Sequence, residues 1–536
     1  EADEHFGRLR EWGFTFVRFL VTWEAIEHAG PGIYDEAYLD YVRAIVSKAG
    51  EYGINLFIDP HQDVWSRFTG GDGAPGWTLE VAGFDMTCFH ETGAAIVHAT
   101  HGDPLPKMIW PTNGNKLAAA TMFTLFFGGN DFAPRTRVEG EPIQEYLQRH
   151  YIEAIRQVAL RLKDLPNVVG YDTLNEPMPG FIGWEDAAST DGVLKLGPTP
   201  TPYQAMLLGA GFPQEVGVWT LGKVRLARTA SCWLNQAGAR AWQAGRDCLW
   251  RENGVWDVDP TGAPRLLRPY HFLEVNGRQV DFNQDYYLPF AQRFARAIHG
   301  ADPRAIIFAE PQPSKQPPHW SPNGIPLAYA PHWYDGFVLI KKSFTPYLAV
   351  DFVTTNPVFL PGLIRRSFAR QLGSFRKSAN ERMGEAPVLL GEFGVPFDMD
   401  GKHSFRTGDY RQQTRALDRT FQALEANLLS GTLWNYTPDN TNEHGDLWND
   451  EDLSIFSRDQ RKDPGDIHSG GRALDAAIRP YPKAVAGEPL HLSFDLRRRT
   501  FEFSFRHDPE VQAPTEIFVP NFQYPQGYLV EVSDGS

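Results

Sequence analysis

The sequence predicts an α/β protein, a (β/α)8 barrel followed by a small antiparallel β-sandwich. Three observations carry this. Short apolar, β-rich runs alternate with helical patterns, as in a parallel sheet covered on its faces. Almost every run ends in polar or charged residues, as barrel strands do at their catalytic ends. After about residue 480 the pattern changes to strict two-residue alternation. The expected division is a barrel over residues 1–478 and a sandwich over 479–536.

Seven runs read as strands: 14–21 (FTFVRFLV), 54–59 (INLFID), 168–174 (VVGYDTL), 305–309 (AIIFA), 327–330 (LAYA), 387–390 (PVLL) and 431–434 (GTLW). A barrel of this type has eight, so the first strand is expected upstream of Glu1. Between the runs, Leu39, Val42, Ile45, Val46 and Ala49 share one helical face, as do Tyr151, Ile155, Val158 and Leu162. The strand ends carry Arg18 with Thr22-Trp23, Asp59-Pro60-His61-Gln62-Asp63, Asn175-Glu176-Pro177, Glu310, His332-Trp333-Tyr334-Asp335, Glu392 and Trp434-Asn435-Tyr436. A doubly wound sheet would gather its ligand groups near one switch point, so the spread favours the barrel. Residues 64–140 and 178–282 are too long for plain barrel loops. They are expected to be lids or substrate walls, or else decoration with small cores of their own. At the end, Leu490, Leu492, Phe494 and Leu496 alternate with polar residues. So do Phe501, Phe503 and Phe505, then Ile517 and Val519, with a last strand expected at Leu529, Val530 and Val532. Arg497-Arg498-Arg499-Thr500 is placed to turn a hairpin.

Hydrophobic residues make up 42% of 536 residues, enough for a sizeable core. Asp+Glu is 66 against Lys+Arg 51, a net charge of -15, which argues against nucleic acid as a partner. Cys88, Cys232 and Cys248 are too few for a disulfide framework or a four-thiolate zinc site and are expected to be free thiols. No stretch approaches the ~20 apolar residues of a membrane span; the most apolar run, 117–129, is too short. The chain opens on Glu1-Ala2 with no basic-then-apolar leader, the mark of a processed or truncated chain, and names no compartment. Aromatic residues at 13%, in an acidic chain, point to sugar or lipid surfaces as well as to a large core.

The sharpest chemical feature is Glu176 in Asn175-Glu176-Pro177 together with Glu392 in Gly391-Glu392-Phe393-Gly394. Two glutamates on separate strands can face each other across a barrel mouth. Such a pair hydrolyses glycosides: one protonates the leaving oxygen, the other attacks the anomeric carbon or activates water. Taken singly, each could be a salt-bridged strand-end carboxylate; taken together, beside aromatics, that reading weakens. A nucleophile needs a low pKa, which a cation such as Arg18 supplies, and an acid needs a raised one. His61 and His332 follow Pro60 and Pro331 and read as site histidines or as satisfied core histidines. A zinc site fits poorly, because His61/Asp63 and His90/His98/His101 lack a His-Glu-x-x-His spacing. Neither a metal nor a cofactor is expected.

With these motifs the sequence resembles glycoside hydrolase family 5, in the branch of endoglycoceramidases, fungal glucosylceramidases and steryl β-glucosidases. The resemblance also rests on Asp59-Pro60-His61-Gln62-Asp63-Val64-Trp65-Ser66, Gly73-Ala74-Pro75-Gly76-Trp77 and Pro106-Lys107-Met108-Ile109-Trp110-Pro111-Thr112-Asn113. Pro331-His332-Trp333-Tyr334-Asp335, Trp434-Asn435-Tyr436-Thr437-Pro438-Asp439-Asn440 and Trp448-Asn449-Asp450-Glu451-Asp452-Leu453 complete it. It implies Glu176 as acid/base, Glu392 as nucleophile and Asn175 as the partner of the sugar 2-hydroxyl. It implies Arg18 as the group that keeps the nucleophile ionised, His61 and His332 as active-site histidines and Tyr334 as the tyrosine beside the nucleophile. Trp434 becomes the aromatic platform and Asp59 a glucose-binding carboxylate.

Phe84, Phe89, Met108, Phe123, Leu125, Phe126 and Phe127 are expected to form a greasy wall for a sterol or ceramide, unless MFTLFF is simply a buried helix. FTLFFGGND, 123–131, looks like the fungal enzymes. The expected activity is that of a retaining β-glucosidase on glucolipids, with a glycolipid substrate, transient membrane-surface contact and no membrane span. The alternatives are an endoglycoceramidase-type or β-glucan endo-glycosidase, and a non-catalytic glycolipid-binding barrel.

Overall fold

The computed structural model describes residues 1–106, 110–190, 195–222, 226–313, 315–321, 324–351, 354 and 356–533, residue 110 in its backbone alone. The expected Met108 of the wall lies outside them. Helix α1 (Ala2–Glu11) leads into β1 (Phe16–Thr22), and α2 (Glu36–Glu51) leads into β2 (Asn55–His61). Asp35 caps α2 by accepting from the Tyr38 N–H, and Leu39, Val42, Val46 and Ala49 form its buried face. Helices α3 (Leu117–Phe132) and α4 (Ile143–Leu162) precede β3 (Val168–Asp172). Helix α5 (Leu288–Ala301), β4 (Ile306–Ala309), β5 (Leu327–Tyr329), α6 (Pro361–Arg382), β6 (Leu389–Phe393), α7 (Arg411–Glu425) and β7 (Ser430–Leu433) follow. Each of the seven strands lies within two residues or so of its predicted run.

All these strands run parallel. Strands β1 to β5 form one ladder in chain order. Bridges Tyr329↔Val388 and His332↔Glu392 carry the arc to β6, and β6 pairs with β7. The chain thus forms a (β/α)8-type barrel. Among the described residues no ladder joins β7 to β1. A cavity of about 880 Å3 lies there, running from His5 and Leu9 of α1 to His61, Asp63, Trp434 and Glu451.

Below the strand ends the barrel interior is filled by Phe57, Phe308, Ala328, Ala330 and Leu389. Phe57 stacks on Phe308 at 4.2 Å and on Phe16 at 5.7 Å. Gly170 lets β3 and β4 approach; a Cβ there would lie 2.0 Å from the Ile306 carbonyl oxygen.

The greasy wall is not found. Helix α3 is buried on nearly every side. Phe123, Leu125, Phe126 and Phe127 belong to the main core, with Phe84 and Phe89. Phe126 meets Trp65, Tyr151 and Phe290 edge-on. An all-round apolar helix is buried in a core rather than laid along a substrate. In the second insertion, Gln214–Leu221 and Leu226–Leu234 form an antiparallel hairpin that the sequence reading did not single out.

The C-terminal region contains β8 (Tyr481–Ala484), β9 (Gly487–Asp495), β10 (Thr500–His507) and β11 (Glu516–Phe518). They form two antiparallel ladders, β9 with β10 and β8 with β11. The β9–β10 turn falls on Arg497-Arg498-Arg499, as expected, with Arg499 at φ 53°. The last expected strand is not formed: Leu529, Val530 and Val532 are exposed, Leu529 by 98%. All three cysteines are free. No described helix is long and apolar enough to cross a membrane.

Phe57→Ala is expected to remove about 3–5 kcal/mol of stability by opening a cavity under the strand ends. Urea unfolding checks it; an unchanged midpoint would take Phe57 out of the structural core.

Candidate active site

The structure brings all nine sequence-predicted residues to one end of the barrel. Arg18 projects from the middle of β1 and is buried. It donates to Glu392 Oε1 and, at 2.6 Å, to Asn175 Oδ1. Its Nη2 also lies 3.1 Å from Asp59 Oδ2 and 3.6 Å from Glu310 Oε2. Such a cation is tolerated in the interior because carboxylates surround it.

Glu392 ends β6. Its second oxygen accepts from the Tyr334 hydroxyl at 2.8 Å and lies 3.4 Å from His332 Nδ1. Burial alone would raise this carboxyl. His332, Arg18 and His61, with the Tyr334 hydroxyl, outweigh burial and hold it below the usual carboxylate value. The environment therefore favours an anion.

Glu176 follows β3 on a backbone with φ 36°. One carboxylate oxygen lies 2.9 Å from His332 Nδ1, and its side chain is 20% exposed against 8% for Glu392. One oxygen each of Glu176 and Glu392 and one His332 nitrogen lie within 4.8 Å of one another. Asn175 is fixed by reciprocal bonds: its Nδ2 donates to the Gln62 carbonyl at 2.8 Å, and Gln62 Nε2 donates to the Asn175 carbonyl at 2.7 Å.

Glu310, at the end of β4, stood among the strand-end residues without a role. It accepts the Glu176 backbone N–H at 2.9 Å and lies 3.2 Å from His332 Nε2. His332 thus faces carboxylates from both ring nitrogens. Burial alone would lower its pKa; Glu310, Glu392 and Glu176 raise it well above the ordinary histidine value.

His61 is held the same way, Nδ1 2.8 Å from Asp59 and Nε2 3.2 Å from Asp63. Its ring stacks on Trp434 at 5.0 Å and 12°. Asp59 is held low by Arg18 and His61 against burial, whereas burial pushes Asp63 well up. Glu451 lines the same cavity, and burial raises it to about 8. Asp63 and Glu451 belong to the motifs at 59–66 and 448–453, yet only the fold brings them into one cavity with His61 and Trp434.

Among the described residues, three groups have donor atoms close enough to hold a cation: His61, Asp63 and Asp72; His98, Asp103 and Asp450; and Glu176, His332 and Glu392. In the first and third, the histidine is already engaged by carboxylates on both nitrogens.

Residues 2–196 match Cellulase (glycosyl hydrolase family 5), and residues 479–536 match the glycoside hydrolase family 5 C-terminal domain. A glucosylceramidase of Rhizopus delemar is 40% identical, over 98% of this chain and 81% of that protein. An ergosteryl-beta-glucosidase of Saccharomyces cerevisiae is 33% identical, over 100% of this chain and 85% of that protein. The crystal structure of Cryptococcus neoformans sterylglucosidase 1 superimposes with a TM-score of 0.93 at 34% identity, covering 97% of this chain and 81% of that one. The chain belongs to glycoside hydrolase family 5.

Proposed function

We propose that the protein is a retaining β-glucosidase that cleaves the glucose–lipid bond of glucolipids, steryl β-glucoside or glucosylceramide, by double displacement. The observation that carries this is that one carboxylate oxygen of Glu176 and one of Glu392 lie within 4.8 Å of each other. Retaining glycosidases hold their two carboxyl groups about 5–5.5 Å apart, inverting ones about 6.5–9.5 Å. The names of the relatives support glucose as the sugar and a sterol or ceramide as the leaving group. The same reading takes residues 1–478 as the catalytic barrel and 479–536 as an appended β unit.

The ionised Glu392 attacks the anomeric carbon and forms an ester bond as the bond to the lipid oxygen breaks. Glu176 gives its proton to that oxygen, and the lipid alcohol leaves. Glu176, now a carboxylate, takes a proton from water; the water oxygen attacks the same carbon, the ester breaks, and β-glucose departs. Arg18 and Tyr334 hold Glu392 anionic and aimed. His332 lies between the two glutamates and, as a cation, limits their repulsion. Asn175 receives the sugar 2-hydroxyl. His61 and Asp59 contact the ring hydroxyls, and Trp434 offers its face beneath the ring.

Glu176→Gln is expected to slow turnover of a glucolipid about 10²–10⁴-fold, and Glu392→Gln at least as much. A 2-fluoro-glucoside should label Glu392, read by peptide mass; label on Glu176, or near-normal turnover of either variant, would reverse the assignment. Tyr334→Phe removes a donor that lowers the Glu392 pKa. Activity is lost as pH falls through that pKa, so the acid limb of kcat/KM should move to higher pH. An unmoved limb would separate Tyr334 from the ionisation of Glu392.

A further inference from the structure

The connection that leaves Tyr334 carries an exposed apolar patch beside exposed cations. After Tyr334 the chain forms a short helix, Gly336–Lys341, and then a hairpin pairing Leu348–Val350 with Pro357–Phe359 before α6 begins. Because β5 ends at the catalytic face, this connection and the first turns of α6 rim that face. Tyr347 is 65% exposed, Phe359 56%, Leu360 61% and Leu363 50%. They are neighbours: the Leu360 N–H donates to the Tyr347 carbonyl at 3.2 Å, Phe359 stands opposite Leu348, and Leu363 lies in the first turn of α6. Leu360 has φ 72° and ψ 132°, a conformation that suits glycine and strains a residue with a Cβ. Packing does not explain a leucine that is both strained and exposed.

Arg365 and Arg366 follow in the next turn, exposed, and among the described residues neither has an ion pair. The first three turns of α6 carry Arg365, Arg366 and Arg370 and no acid, Arg370 being paired with Asp351, in a chain of net charge -15. Arg365 and Arg366 thus give the apolar patch a neighbour of opposite sign to the net charge of the molecule. Apolar side chains flanked by arginines suit the boundary of an anionic bilayer, where the first enter the headgroup layer and the second meet phosphates and carboxylates. A second copy of the chain suits it less, since a twofold contact would set these arginines against themselves.

We propose that Tyr347, Phe359, Leu360 and Leu363, with Arg365 and Arg366, form a docking surface for an anionic membrane. The surface places the catalytic mouth over lipid-borne substrate, a consequence that rests on the glucolipid reading; the docking itself does not.

The test uses the full chain and vesicles free of any glycolipid, so that binding and hydrolysis are read separately. One set is phosphatidylcholine alone; the other contains about one-third phosphatidylserine. The protein is expected to cosediment with the anionic set and only weakly with the neutral one. Arg365→Glu with Arg366→Glu should weaken that binding about tenfold or more. Leu360→Gly should weaken it several-fold while the melting temperature holds or rises, because strain is relieved. Both variants should hydrolyse a soluble aryl β-glucoside at the wild-type rate and a vesicle-borne glucolipid more slowly. Equal binding to the two vesicle sets, or unchanged binding by the variants, would overturn the proposal. So would a dimer in sedimentation velocity that Leu360→Gly dissociates, which would give the face to a second copy. Failure of the wild-type protein to cleave any glucoside would instead count against the glucosidase reading and leave the vesicle result standing.

Discussion

Arg18 stands in the middle of a strand, almost without solvent, and is bonded at once to Glu392, Asn175 and Asp59. Those three residues come from three further strands, so one guanidinium sets the spacing of the site. Breaking a buried ion pair by removing one partner typically costs about 3–5 kcal/mol, because the others keep a charge without compensation. Arg18 therefore has a structural and an electrostatic duty that cannot be separated. It closes the sheet end from inside, and it keeps the proposed nucleophile anionic where burial would favour the acid.

The two histidines extend this balance outward. His332 sits among Glu176, Glu310 and Glu392, and His61 between Asp59 and Asp63. Each sets a ring with a raised pKa among crowded carboxyl groups. The two glutamates differ in position: Glu392 touches both Arg18 and Tyr334, whereas Glu176 touches His332 and reaches solvent.

Much of this was legible in the sequence for a physical reason. Strands buried on both faces read as unbroken apolar runs, and a charged residue inside or just after such a run, as Arg18, Glu176 and Glu392 are, has few structural uses. Helix α3 was harder, because a helix buried all round shows no polar face by which to tell core from substrate wall. The tail misled in another way: Leu529, Val530 and Val532 carry strand-like residue types but find no neighbour to pair with among the described residues. Glu310 and Glu451 gained meaning only from partners far away in the chain, such as Glu176 and Asp63, and no local pattern encodes that.

The crossed amide bonds between Gln62 and Asn175 have a mechanical corollary. Gln62 also accepts the Trp65 N–H at 2.9 Å, so the long excursion that departs from β2 is riveted to the residue next to Glu176. Whatever that excursion presents to the site shares a frame with the proposed proton donor. On the glucosidase reading, remodelling it to suit another leaving group is expected to change how fast the bond breaks as well as what is bound.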